Sequence, residues 1–180
     1  MNKITHIDLF SGIGGFSLAL DSVIGRENTE HIFVENDKFC QQVLKKHWPS
    51  AQIVSDIRNF TINPFSDKYR AEQRTLRETQ EIQGIRGATL DARGISGTDL
   101  LTGGFPCQPF SQAGRRKGTD DDRHLWPEML RVIREFRPEW VIGENVAGLL
   151  TIEQGVVFEQ VCADLEKENY EVQSFVIPAV

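Results

Sequence analysis

Ile4-Thr5-His6-Ile7-Asp8-Leu9-Phe10-Ser11-Gly12-Ile13-Gly14-Gly15 decides the fold. Residues 4–10 are a short apolar run that breaks at a glycine cluster, after which Phe16, Leu18, Ala19, Leu20, Val23 and Ile24 recur at roughly helical spacing. The pattern reads strand, glycine turn, helix. Glycines there let backbone approach a ligand closely, and the first turn of the helix has free N–H groups to offer an anionic group. Ser17 stands where a G-x-G-x-x-G motif has its third glycine, so the turn by itself does not identify a nucleotide site.

Working outward, residues 31–35 read as a second strand. Glu35 falls about twenty residues beyond the turn, where doubly wound nucleotide sites place the acid that binds ribose hydroxyls; the bland alternative is a solvated strand end. Asp37 is expected to cap a helix running through Lys46, with Phe39, Cys40, Val43 and Leu44 inward and Pro49 beyond its end. Residues 51–54 read as a third strand, whose end, Ser55-Asp56-Ile57, offers a carboxylate and an apolar side chain to a bound base.

Leu100-Leu101-Thr102-Gly103-Gly104-Phe105-Pro106-Cys107-Gln108-Pro109-Phe110-Ser111 holds the candidate nucleophile. Residues 98–102 read as a fourth strand that delivers Cys107 to a loop at the carboxyl edge of the sheet, where open α/β sheets bind ligands. A thiol reacts as thiolate, and its ordinary pKa near 8.5 requires help from nearby N–H groups, a cation or a base. Arg115, Arg116 and Lys117 follow within ten residues. Taken alone, such a cysteine is more often a small buried hydrophobe; the partner motifs favour chemistry.

Residues 66–97 change character: charged residues alternate with Gln, Thr and Gly, and few are large and apolar. They read as a surface insertion, part helix and part glycine-rich loop. The loop after Cys107 reads as a lid that closes over a polyanion. Residues 125–136 are predicted helical, with Leu125, Met129, Val132, Ile133 and Phe136 on one face, ending before Arg137-Pro138. Residues 140–143 read as a fifth strand ending at Glu144-Asn145-Val146. A carboxyl between Ile142 and Val146 is expected to be partly desolvated and so to hold a proton near neutral pH. A helix at 152–167 with Val156, Val157, Val161 and Leu165 inward, capped by Asn169, and a sixth strand at 170–180 complete the reading.

Composition sets the bounds. The 180 residues are 39% apolar, enough for one domain with a sizeable core. No run is long enough to cross a bilayer and the N-terminus lacks a signal-peptide pattern, so a cytoplasmic protein is expected. Three cysteines without a C-x-x-C pair give no disulfide framework, and Cys40 and Cys162 are expected in the core. The four histidines lack ligand spacing, so no metal is expected. A formal charge of −6 argues against a large nucleic-acid surface on these residues alone.

With these pieces in place, the chain resembles the DNA cytosine-5 methyltransferases. Asp8-Leu9-Phe10-Ser11-Gly12-Ile13-Gly14-Gly15 is similar to their first S-adenosylmethionine motif, Gly104-Phe105-Pro106-Cys107-Gln108-Pro109-Phe110-Ser111 to their catalytic motif, Arg123-His124-Leu125 to the segment between, and Glu144-Asn145-Val146 to their base-binding motif. The resemblance implies a Rossmann-like α/β fold, an open and mostly parallel sheet with helices on both faces, cut off after about the sixth strand.

It implies S-adenosyl-L-methionine as cofactor, held by Phe10, Gly12, Gly14, Gly15, Glu35, Asn36, Asp56, Ile57 and Leu125. Cys107 would attack C6 of a flipped cytosine in double-stranded DNA while Glu144 engages N3. Pro106, Gln108, Ser111 and Asn145 would line the substrate side, with Asn145 orienting Glu144 or the Cys107 loop. The setting implied is restriction-modification or phage DNA modification.

The family's later motifs and its target-recognition region have no counterpart before Val180. An amino-terminal part of the enzyme is therefore expected, from a truncated gene, an incomplete sequence or one subunit of a split methyltransferase, and one that aggregates alone or needs a C-terminal complementing subunit. A tRNA cytosine-5 methyltransferase is the close rival, although Gly-Phe before Pro-Cys-Gln favours DNA. An inactive cofactor-binding or assembly module is the rival from another class.

Overall fold

The computed structural model describes residues 3–61, 98–106 and 125–177, with the side chains of Ile152 and Glu153 left aside. Expectations for the 66–97 insertion, and for Cys107, Gln108, Ser111 and the loop that follows, lie outside these residues.

Strand β1 (Ile4–Leu9) leads through the glycine turn into helix α1 (Gly15–Ile24). Next come β2 (Thr29–Val34), α2 (Lys38–His47) and β3 (Gln52–Val54), and then a short 3-10 turn (Ile57–Asn59). Beyond residue 97 follow β4 (Leu100–Gly103), α3 (Trp126–Phe136), β5 (Trp140–Gly143) and α4 (Val156–Lys167). The strands form one sheet in the order β3-β2-β1-β4-β5, with every pairing parallel. The chain builds outward from β1 to β3, then returns to the other side of β1 with β4. The reversal lies between β1 and β4, where an open α/β sheet leaves a crevice at its carboxyl edge.

Alternation along the strands sorts the two faces. Ile7, Leu9, Val34 and Leu101 point to one face, into a core completed by Trp126, Met129, Leu130, Val132, Ile133 and Phe136 of α3 and Val161 of α4. Phe33 points to the other, against Leu44 of α2 and Trp48. Helices thus cover both faces, as expected for this fold class. Beneath α1 the second face is polar: His6, Asp8, Ser17 and Thr102 are buried there and bonded to one another.

Local signals explain the boundaries. The Asp37 carboxylate accepts from Cys40 N at 2.8 Å and caps α2, as expected. Helix α3 stops where Arg137 turns left-handed at φ 45° before Pro138. Asn169, at φ 67°, follows the end of α4 in the left-handed conformation such ends favour.

Four expectations are corrected. Residues 170–177 form no strand. Tyr170 is anchored by its hydroxyl to the carbonyl of Pro138 (2.7 Å), but Phe175, Val176 and Ile177 are exposed, and an unpaired apolar run has no ladder to join. Phe39 is exposed because five helical residues turn it about 140° away from the buried Leu44. In α4 Val161 is buried but Val156 is exposed. Cys40 and Cys162 are only half-buried, since each sits at the rim of its helix's inward face. Among the described residues no helix is long and apolar enough to cross a membrane.

Candidate active site

A cavity of about 270 Å³ opens at the carboxyl ends of β1 to β4, lined by Phe10, Glu35, Asn36, Asp56, Ile57 and Leu125. Val34, Ser55, Arg58, Gly104 and Pro106 complete the wall. The cavity therefore joins two stretches that the sequence reading assigned to separate roles: the strand tips expected to hold a cofactor, and the loop that runs from β4 into Cys107.

Glu35 is the hinge of the cofactor side. It is buried, and its carboxylate accepts from Gly12 N at 2.7 Å and from Asp37 N at 2.8 Å, which ties the glycine turn to the exit of β2. A carboxylate has about four acceptor positions, so two remain for a ligand's hydroxyls. Asp56 faces the same space beside Arg58, whose guanidinium and backbone N–H hold its carboxyl below the usual range. Ile57 is buried in the core beneath the cavity wall and Leu125 is half-buried, so apolar surface is available beside both acids.

The glycine turn is more differentiated than its sequence implies. A Cβ on Gly12 (φ +53°) or Gly15 would meet no atom within 4 Å. On Gly14 (φ +90°) it would stand 2.6 Å from the Trp48 ring. Gly14 is thus required by packing, and none of the three glycines lines the cavity. Phe10, which does, sits at φ +54°, a conformation bulky side chains rarely adopt and whose strain costs about 1–3 kcal/mol.

Opposite, Glu144 leaves β5 next to Gly104: a Cβ on Gly104 would stand 3.2 Å from Glu144 Oε2. Glu144 N donates to Gly103 O at 2.9 Å, and Asn145 Nδ2 donates to Phe105 O at 2.7 Å, so the tips of β4 and β5 are tied together. Glu144 itself is exposed. Ile142 and Val146 beside it are exposed: among the described residues nothing packs over the outer face of edge strand β5, so these two neighbours do not enclose the carboxyl as expected.

Sequence reasoning passed over Arg131. Its guanidinium donates to Ile57 O at 2.7 Å and to Phe60 O at 3.1 Å while pairing with Glu128 and Glu135, and so clamps the turn that carries Asp56 and Ile57. An arginine on an amphipathic helix looks like solvent surface, and only the fold reveals the carbonyls it meets. The buried polar set under α1 was missed as well. Burial, aided by the neighbouring His31, pushes His6 down to about 3. Burial likewise pushes Asp8 up to about 6, against bonds from Thr102 and Ser17. Burial would raise Asp21 too, but bonds from Thr29, His31, Trp48 and Arg26 outweigh it and hold its carboxyl well below the usual range.

The family model for C-5 cytosine-specific DNA methylase matches residues 4–180. The chain belongs to this family. Among curated DNA methylases, the Type II methyltransferase M1.ScrFI of Lactococcus lactis subsp. cremoris is 34% identical over 179 residues, covering 98% of this chain and 37% of that protein. M.HgiCII of Herpetosiphon aurantiacus is 30% identical over 176 residues, 96% of this chain and 32% of its own length. The chain thus spans about a third of the relatives it matches. In fold it is similar to the Entamoeba histolytica methyltransferase EhMeth, with a TM-score of 0.53 and 16% identity over 93% of this chain and 45% of that one.

Proposed function

We propose that this chain carries the cofactor cleft and the nucleophile of a DNA cytosine-5 methyltransferase of the restriction-modification type. The observation that carries the reading is the composition of one cavity: Glu35, Asp56 and Ile57 line it together with Pro106, the residue joined directly to Cys107.

The residues suit S-adenosyl-L-methionine. Two acids accept hydrogen bonds from hydroxyl and amino groups, and the side chains of Phe10, Ile57 and Leu125 offer apolar surface to a purine face. When bound, the cofactor supplies an electrophilic methyl group. Cys107, as thiolate, adds to C6 of the cytosine, and the electron pair displaced from the C5–C6 bond makes C5 nucleophilic. Glu144 hydrogen-bonds N3 and stabilises the charge that develops on the ring. After transfer, a base removes the C5 proton and the thiolate is expelled as the double bond returns. The target must leave the DNA stack for this chemistry. Asn145 steadies the loop that presents Cys107.

A complementing polypeptide belongs to the same reading. Trp140 and Ile142 on edge strand β5 are exposed, as are Phe175, Val176 and Ile177, while the relatives are about three times as long. We infer that the DNA-reading surface and a cover for this apolar flank come from residues equivalent to the rest of those relatives. The decisive experiment is trapping with a 5-fluorocytosine oligonucleotide and S-adenosylmethionine, first with the chain alone and then with a second polypeptide carrying the C-terminal part of M1.ScrFI. A covalent adduct that disappears in Cys107→Ala is expected. An adduct that persists in that variant would misassign the nucleophile, and a tRNA substrate trapped in preference to DNA would favour the tRNA enzyme.

A further inference from the structure

The polar side chains beneath α1 form a single line of hydrogen bonds. Asp8 Oδ1 meets Thr102 Oγ1 at 2.8 Å, and Thr102 Oγ1 meets His6 Nε2 at 2.9 Å. His6 Nδ1 meets His31 Nδ1 at 3.0 Å, and His31 Nε2 meets Asp21 Oδ1 at 2.8 Å. The line crosses β4, β1 and β2 and ends on α1. Its members are almost entirely shielded from water: His6 and Ser17 are 0% exposed, Asp8 1%, Thr102 2% and His31 5%.

Donor and acceptor rules orient the line. A carboxylate only accepts, so the Thr102 hydroxyl donates its one proton to Asp8, as Ser17 does to the other oxygen at 2.9 Å. Thr102 Oγ1 must then accept from His6 Nε2–H. A neutral His6 has no second ring proton, so its Nδ1 accepts, and His31 Nδ1 must donate. His31 Nε2 lies against Asp21 Oδ1, and Asp21 also accepts from Thr29 (2.7 Å), Trp48 (2.8 Å) and Arg26 (3.0 Å).

Asp8 and Thr102 are register partners in adjacent strands, and each precedes one wall of the cavity: Leu9-Phe10 on one side, Gly103-Gly104 on the other. We propose that Thr102 is a positioning residue whose hydroxyl, oriented by His6 and by His31 behind it, locks the tips of β1 and β4 together and so sets the width of the cofactor cleft. The proposal rests on reading that cleft as the S-adenosylmethionine site. A methyl group in place of the hydroxyl would fill the same space but leave Asp8 Oδ1 and His6 Nε2 without this partner.

The test uses the full chain, calorimetric titration with S-adenosylhomocysteine and ¹⁵N spectra of the histidine rings. In the wild-type protein His6 should be protonated on Nε2. Thr102→Val should lose the His6 Nε2–H signature and bind about tenfold more weakly, and Thr102→Ser should restore both to within about twofold. Thr102→Val binding within about twofold of wild type overturns the positioning role. His6 protonated on Nδ1 overturns the orientation of the line, and this measurement decides even if Thr102→Val does not fold. A wild-type chain that binds no S-adenosylhomocysteine but shows the His6 Nε2–H signature sinks the cofactor reading alone and leaves the hydrogen-bonded line standing.

Discussion

Asn145 and Phe105 are joined by one hydrogen bond, from the side-chain amide of the first to the backbone carbonyl of the second, at 2.7 Å. It spans the gap between the exits of β5 and β4, one residue beyond Glu144 and two before Cys107. Removing it should misplace the two groups proposed to act on one pyrimidine, and small misplacements reduce rates steeply. Asn145→Ala and Asn145→Asp, which cannot donate, should each cut the rate of adduct formation with a 5-fluorocytosine oligonucleotide about tenfold or more. Affinity for S-adenosylhomocysteine should stay within about twofold. A parallel loss of cofactor affinity would mean that the bond serves the whole cleft instead.

The glycines of the first turn should separate in a stability assay. Gly14→Ala places a methyl group 2.6 Å from the Trp48 ring at φ +90°, so backbone strain and overpacking add to about 2–4 kcal/mol. Gly12→Ala meets open space and carries the left-handed penalty alone, about 1–2 kcal/mol. Urea denaturation of both variants measures the difference. Equal losses would contradict the packing argument.

Arg131 should matter to ligand binding although it lies outside the cavity lining. Arg131→Met deletes the donors to the carbonyls of Ile57 and Phe60, and Arg131→Lys cannot reproduce their forked geometry. Both should weaken S-adenosylhomocysteine binding several-fold in calorimetry. Full rescue by lysine would reduce the arginine to a surface charge.

Acid stability should reflect two opposed groups. His6 titrates near 3 in the folded chain against 6.5 ordinarily, so its contribution to stability is complete above pH 6.5 and is lost as pH falls towards 3. Asp8 titrates near 6 against 3.8, so the folded form binds a proton more readily, and its contribution, complete below pH 3.8, is lost as pH rises through 6. Between about pH 4 and 6 the two slopes nearly cancel. Asp8→Asn removes one of them, and the variant should lose about 1.4 kcal/mol per pH unit on acidification through that window, relative to a nearly flat wild type. Urea midpoints at pH 4, 5, 6 and 7 measure it; parallel curves would refute the pairing.

How much of this was legible beforehand differs by element. The strand, glycine turn and helix, the acid at Glu35 and the cap at Asp37 could all be read because each rests on local spacing. His6 and Asp8 alternate with Ile7 and Leu9 in β1, which in a sequence looks like a water-facing side; α1 covers that side, and no local pattern records it. The same limit explains Glu144, whose surroundings depend on what packs over β5, and residues 170–177, whose apolar run needed a neighbouring strand to become one. Arg131 belongs to this class too, since the carbonyls it clamps lie more than seventy positions away.

Phe10 serves two surfaces with one ring. Glycine at this position would relax the left-handed backbone, but it would also remove a ring that packs against the core and walls the cavity, and it would loosen the unfolded chain. Phe10→Gly should therefore gain nothing in thermal survival and should lose ligand. The chain tolerates a conformationally expensive residue because the same side chain closes the interior and shapes the cleft above it.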